Sequence, residues 1–211
     1  MVRQLNVKEA EKLLTKYDIP FPKSQLAKTK KDAVSLAKKI GYPVVLKVSS
    51  EEIIHKSDVG GVKINIKNQD ELEKAYDDIM RGCKGKKVDG ILVQEMVEGI
   101  YVLIGMKRDA AFGPVIAFGL GGIFVEILED VAFRVAPINK DEAMSMVKSI
   151  KSFPILAGAR GGEKINLDLL ASLLVNASKL AMSEPKLNEF DLNPVVINSK
   201  HARAVDARFL E

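Results

Sequence analysis

Residues Ile54-His55-Lys56-Ser57-Asp58-Val59-Gly60-Gly61-Val62-Lys63 set one of the chain's two histidines in front of a paired glycine that runs into a strand-like segment. A neutral imidazole is nucleophilic near pH 7, so it can take up a phosphoryl group and pass it on. Glycines let backbone amides come close to phosphate oxygens. The same residues also suit an ordinary β-turn with a surface histidine, because short glycine motifs recur in many settings. Lys47 lies in the otherwise apolar run 44–48, a few residues upstream. Facing the loop, its ammonium would offset phosphate charge; facing outward, it would be a strand lysine whose stem carries the charge to water. Near the other end, Phe190-Asp191-Leu192-Asn193-Pro194 precedes Ala204-Val205-Asp206-Ala207. A hairpin between them would bring Asn193 and Asp206 to one side. An amide oxygen and a carboxylate are hard ligands suited to Mg²⁺, although Asn-Pro also makes turns and an aspartate can cap a strand.

The elements that must position these groups follow from local pattern. Asn6 with Glu9, Thr29 with Asp32, Asn68 with Glu71 and Asn139 with Glu142 have capping-box spacing, each ahead of an apolar stripe at helical period. Pro20-Phe21-Pro22 ends the first helix, and Gly41 with Pro43 ends the second. A long helix is expected over 167–182, with Leu170, Leu173, Leu174, Ala177 and Ala181 in register. Strands are expected at 44–48, 62–66, 88–97, 101–106, 114–118, 123–128, 131–135, 194–197 and 202–206. In the second of these, Val62, Ile64 and Ile66 alternate with Lys63, Asn65 and Lys67, which points Lys63 away from the apolar face. Segregated helices and antiparallel-looking strands favour an α+β architecture over a βαβ succession. Two lobes, 1–93 and 94–211, would leave a cleft at their junction, a common place for ligands.

Composition narrows the function. With 47% hydrophobic and 28% charged residues, the chain reads as an ordinary globular protein, long enough at 211 residues for a substantial core. Apolar runs are strand-sized and the start lacks a signal-peptide apolar region, so no membrane association and a cytoplasmic location are expected. A single cysteine, Cys83, excludes an internal disulfide and a cysteine-pair zinc site. Charge divides unevenly: residues 1–93 hold 19 basic against 13 acidic side chains, and residues 94–211 hold 13 against 15. The first part suits a polyanion, and the second offers carboxylates for a cation. With no Trp, four Tyr and no RNP-like aromatic motif beside the lysines, nucleic acid is not the expected polyanion.

The run KVSSEEIIHKSDVGGVKINIK from Lys47 to Lys67, with GILVQEMVEG, GMKRDAAFGPVIAFGLGGIFVEILEDVAFRVAP and NEFDLNPVV, closely resembles the β subunit of ADP-forming acyl-CoA synthetases, the archaeal acetyl-CoA synthetase type above all. The resemblance runs from the first helix to Asp206, with the motifs in the family's order. It implies an ATP-grasp fold holding ATP or ADP between two α+β lobes. It further implies an acid-thiol ligase in which a phosphoryl group passes from an α-subunit histidine to His55 and on to ADP. Lys47, Lys63 and the Gly60-Gly61 loop are then candidates for nucleotide phosphates, and Gln94, Glu95, Met96 and Val97 for the strand whose backbone reads adenine. Asn193 and Asp206 match Mg²⁺ ligands of the related succinyl-CoA synthetase β subunit. Glu126, Arg134 and Arg160 are further candidates near the phosphates. Tyr101 stands where relatives usually carry glutamate, a departure that keeps an acceptor oxygen but removes the charge and bears on ribose contact.

The CoA site and the first histidine belong to the α subunit in that family, so the chain is expected to be half of a hetero-oligomeric enzyme, α2β2 being one arrangement. Two other readings stay open: an ATP-grasp ligase that makes an acyl phosphate directly, without His55, and a nucleotide-sensing module without turnover. A carrier with two destinations should sit on a mobile segment, so residues 50–61 are expected to occupy more than one position.

Overall fold

The structure, a computed structural model, describes residues 3–50, 52–53, 56–121, 129–161 and 164–211, with Arg160 described in its backbone alone. His55, Glu126 and the strand expected at 123–128 lie outside the described residues. The chain divides into two compact units, Pro22–Met96 and Met1–Phe21 with Val97–Glu211. The first helix thus groups with the C-terminal part rather than with residues up to 93. Ala10, Leu14 and Ile19 join the same hydrophobic cluster as Ile104, Phe118 and Leu173, which holds it there. No helix among the described residues is long and apolar enough to cross a membrane.

In the smaller unit, helices α2 (Lys30–Ile40) and α3 (Gln69–Gly82) begin where the caps predict, with the Thr29 and Asn68 side chains accepting from the backbone N–H of Asp32 and Glu71. The sheet runs β1-β4-β2-β3 and is antiparallel throughout: β1 is Ser24–Ala27, β2 Val44–Ser49, β3 Val62–Ile66 and β4 Gly90–Glu95. Ala33, Ala37, Leu72 and Ile79 of the helices pack with Leu46, Val48, Ile91 and Val93 of the sheet. Strand β1 was not expected, because four residues Ser-Gln-Leu-Ala carry no apolar alternation.

Strand β3 departs from the simple alternation. Ile66 pairs with Val44, but Lys63 pairs with Leu46 and Val62 with Lys47, so one extra residue is accommodated between. Asn65 takes a left-handed φ of 56°, and Ile64 is 60% exposed. The consequence is a reversal: Lys63 shares the face of Leu46, the core face, and Val62 shares the face of Lys47. The expectation that Lys63 points away from the apolar side does not hold.

In the larger unit, a sheet ordered β10-β8-β5-β6-β7, with β9 paired to β8, is again antiparallel: β5 is Ile100–Asp109, β6 Gly113–Leu120, β7 Val131–Val135, β8 Glu189–Ile197, β9 Ala202–Ala204 and β10 Arg208–Leu210. Val102, Ile104, Met106, Ile116, Phe118, Phe190 and Leu192 turn to one side. There they cluster with α1 (Val7–Lys16), α4 (Lys140–Ser149) and α6 (Leu167–Ser183). Short α5 (Phe153–Leu156) and a 3-10 turn, Ala159–Gly161, link α4 to α6. All five apolar positions predicted to line α6 are buried.

Polar side chains close the exposed ends of this unit. The Arg108 guanidinium donates to the carbonyls of Ala181, Glu184 and Leu187, taking up acceptors that the end of α6 leaves free. The Glu184 carboxylate accepts from Lys16 Nζ at 2.6 Å and Tyr17 Oη at 2.7 Å, tying α1 to α6. Those two hydrogen bonds hold its carboxyl below the usual range. Buried Asp130 accepts the N–H groups of Lys151 and Ser152 at 2.8 and 2.7 Å, joining the start of β7 to the turn before α5.

Candidate active site

Strand β2 carries the first candidate group. Val44, Leu46 and Val48 face the core, and Lys47 faces the other way, paired with Leu92 on β4 and Val62 on β3. Yet Lys47 is only 7% exposed. Its side chain is therefore not carried out to bulk water. Gln94, opposite Val45 on the same face, is 5% exposed. Among the described residues only Lys47, Gln94, Asp130 and Ser178 are both polar and buried, and two of the four share this sheet face.

At the end of β4 the backbone is already engaged. Glu95 N–H donates to Lys23 O and Met96 N–H to Pro43 O, at 2.9 and 3.3 Å, and the Lys23 N–H reaches Glu95 Oε2. Val97, 5% exposed, opens the larger unit. These bonds hold the end of β4 in place.

The glycine pair does something different from what its composition suggests. Gly61 N–H donates to Lys56 O at 2.7 Å, Gly60 N–H donates to Ser57 O at 3.0 Å, and Val48 N–H reaches Gly61 O at 2.8 Å. Both glycine amides are thus spent closing the turn onto β2. Gly60 has φ 63°, which favours glycine, and a Cβ on Gly61 would stand 2.6 Å from Val48 Cγ1 and 2.8 Å from Lys56 O. The carbonyl of Val59 lies against Gly82 at the end of α3, again where no Cβ fits. In this conformation the pair shapes the turn that leads into β3.

In the larger unit the opposite ends of one hairpin meet. Ala204 pairs with Val195 and Arg208 with Asp191, and Val205 N–H donates to Pro194 O at 3.0 Å. Asp206, midway between, is the residue across from Asn193, as the hairpin argument requires. Leu192 faces the core, so Asn193 and Asp191 share the open face with Asp206, while Glu189 and Arg208 form an ion pair at 2.8 Å farther along. Burial pushes the Asp191 carboxyl up, and the charges of Asp206 and Glu189 add to this. Arg208 and a hydrogen bond from the Asn193 side chain oppose it. Three oxygen donors, two of them carboxylates that repel each other, fit a hard divalent cation. Asp191 was not among the residues singled out for this role. Its signal was present in the alternation Asp191-Leu192-Asn193, which places both polar side chains on one face.

The other candidates distribute differently. Arg134 pairs with Ile116, which puts it on the helix-packed face of the sheet, away from Asn193, and its guanidinium donates to Phe133 O. The expected grouping of Arg134 with the phosphate site is not found among the described contacts. Lys63, on the face opposite Lys47, is likewise not grouped with it. Tyr101 is 42% exposed on the open face of β5, and its carbonyl accepts from Gly121 N–H at 2.7 Å. On the same face Gly105, Ala117, Gly119 and Gly121 are small, and Leu103 stands opposite Gly119.

Comparison with known proteins gives this arrangement its family. The model of the ATP-grasp domain matches residues 2–210. The chain is 47% identical to the β subunit of acetate–CoA ligase [ADP-forming] I from Pyrococcus furiosus, over 99% of this chain and 92% of that one. It superimposes with a TM-score of 0.94 on the dinucleotide forming acetyl-coenzyme A synthetase 1 of Ca. Korarchaeum cryptofilum solved with coenzyme A, Ca-AMPCP and HgCl+, at 41% identity and covering 99% of this chain and 93% of that one. A second structure of the Korarchaeum protein, with coenzyme A and Mg-AMPPCP, has its phosphohistidine segment pointing towards the nucleotide binding site; the TM-score is 0.84 and the identity 40%, over 98% of this chain and 91% of that one. The chain therefore belongs to the ATP-grasp family, and within it to the β subunits of ADP-forming acetate–CoA ligases.

Proposed function

We propose that the chain is the nucleotide-binding half of an ADP-forming acyl-CoA synthetase, converting acyl-CoA, ADP and phosphate to acid, CoA and ATP together with a CoA-binding α subunit in the cytoplasm. His55 receives a phosphoryl group from the α subunit and gives it to ADP. In the second transfer a terminal oxygen of ADP bonds to phosphorus as the nitrogen–phosphorus bond breaks, and the electron pair returns to the ring nitrogen. Lys47 offsets the charge of the nucleotide phosphates, and Gln94 to Val97 hold the base. Asn193, Asp206 and Asp191 are the groups that would hold Mg²⁺, which when bound offsets phosphate charge. Tyr101 takes the position of a ribose contact, and Glu126 and Arg160 remain candidates for the phosphates.

The observation that carries this reading is the burial of Lys47 beside Gln94 on one sheet face, in the strand that leads to the His55 segment. Reconstitution tests it. The chain, mixed with the CoA-binding α subunit, acetyl-CoA, ADP, phosphate and Mg²⁺, should form ATP, and neither polypeptide should do so alone. ATP formation by the pair at no more than the background of the separate polypeptides would overturn the assignment.

A further inference from the structure

The open face of β8 carries a short ladder of charge. Glu189, Asp191 and Asn193 stand along it, and Leu210, Arg208 and Asp206 lie across from them in that order. Arg208 is therefore directly opposite Asp191 and two residues from Asp206. On the other side of Asp191 the β5 partner is Gly105, which has no side chain. Arg208 is thus the one side chain set directly across from this carboxylate. Its guanidinium is anchored, with Nη2 2.8 Å from Glu189 Oε1 on the diagonal of the pair. The two side chains are 37% and 34% exposed, so ions and water reach them. On the core side Phe190 packs against Phe209 with ring centroids 5.8 Å apart, and Leu5 N–H donates to Phe209 O at 3.0 Å from the far edge of β10. The register that brings these charges together is held from both sides. An exposed ion pair adds little to stability, which leaves its charge as the property to explain.

We infer that Arg208 is the resident counter-charge of the cation site: it weakens binding of a bare divalent cation to Asp191 and Asp206 and so ties cation binding to the nucleotide. The inference rests on the proposed cation site. At the ladder three carboxylates, Glu189, Asp191 and Asp206, face one guanidinium. With no nucleotide present, that guanidinium takes part of the field which would draw a cation in, and repels one placed beside the two aspartates. A nucleotide brings several negative charges to a cation that bridges its phosphates, and these offset the repulsion. The cation then binds as part of a nucleotide complex. Charge carries the effect. Because Arg208 meets Glu189 through one nitrogen and not as a two-pronged fork, lysine should serve in its place, and a neutral side chain should not.

The test is equilibrium binding of Mn²⁺, which accepts hard oxygen ligands as Mg²⁺ does. The paramagnetic resonance signal of the free ion reports it for the wild-type chain, Arg208→Gln and Arg208→Lys, with and without ADP, after subtraction of Mn·ADP formed in solution. Arg208→Gln is expected to bind Mn²⁺ alone about tenfold more tightly than wild type. The factor by which ADP strengthens Mn²⁺ binding should fall by about tenfold, and by linkage Mn²⁺ should strengthen ADP binding that much less. Arg208→Lys should stay within about twofold of wild type on both counts. A purely structural role would weaken Mn²⁺ binding and leave the coupling unchanged. Mn²⁺ affinity in Arg208→Gln that is unchanged or weaker, an unchanged coupling, or a Lys variant that behaves like Gln would overturn the inference while leaving the cation site standing. Mn²⁺ binding that Asp206→Asn does not weaken would instead remove the cation site and this inference together.

Discussion

Replacing His55 by alanine is expected to abolish trapped phosphate and to lower ATP formation by about 10³-fold or more, as loss of a covalent carrier does. Nucleotide affinity should barely change, because the proposed arrangement meets the charge on the phosphates with Lys47 and the cation site rather than with the imidazole. The thermal midpoint should also hold. Equilibrium binding of ADP, a melting curve and a coupled ATP assay on the same preparation separate these effects. Turnover within tenfold of wild type would favour the other ATP-grasp chemistry, in which an acyl phosphate forms directly and no histidine is needed.

The second large effect is expected at Asp206. Asp206→Asn should reduce phosphoryl transfer by about 10²-fold at limiting Mg²⁺, since one of two carboxylate donors is lost. The substitution has a second signature that follows from Asp191. Its carboxyl is held above the ordinary aspartate value of about 3.9 by burial, with Asp206 adding repulsion. A raised acid pKa means the folded state binds the extra proton, so stability falls as pH rises from that ordinary value through the raised one. Mg²⁺ should stabilise the wild-type chain most above this window, where both carboxylates are charged. In Asp206→Asn the Asp191 pKa should drop, the pH-dependent loss should shrink, and the stabilisation by Mg²⁺ should largely vanish. Thermal melts with and without Mg²⁺ across the acid range check this, and an undiminished Mg²⁺ effect in the variant would move the cation elsewhere.

What could be read from the sequence was mostly local. The four capping pairs are decided within a single turn, and all four helices start where they predict. Asn193 and Asp206 were legible for the same reason, since a hairpin between neighbouring strands is short-range. Reading failed where long-range register decides. The extra residue near Asn65 reverses the face of Lys63, and nothing in the alternation Val62, Ile64, Ile66 reveals it. Lys47 was ambiguous because a strand's own residues do not show whether its second face is covered. The glycine pair shows a different limit: composition states that amides can approach a ligand, but not that Lys56 and Ser57 carbonyls take them first.

The central claim is that this chain carries a phosphoryl group on His55. The most direct measurement is to incubate the wild-type chain and its α subunit with Mg²⁺ and γ-labelled ATP, digest it, and locate the label by its chemistry and position. The expected result is acid-labile, base-stable phosphate on the peptide containing His55, lost on adding ADP as labelled ATP re-forms. Label on the peptide containing His201, the chain's other histidine, or no histidine-bound label at all, would contradict it.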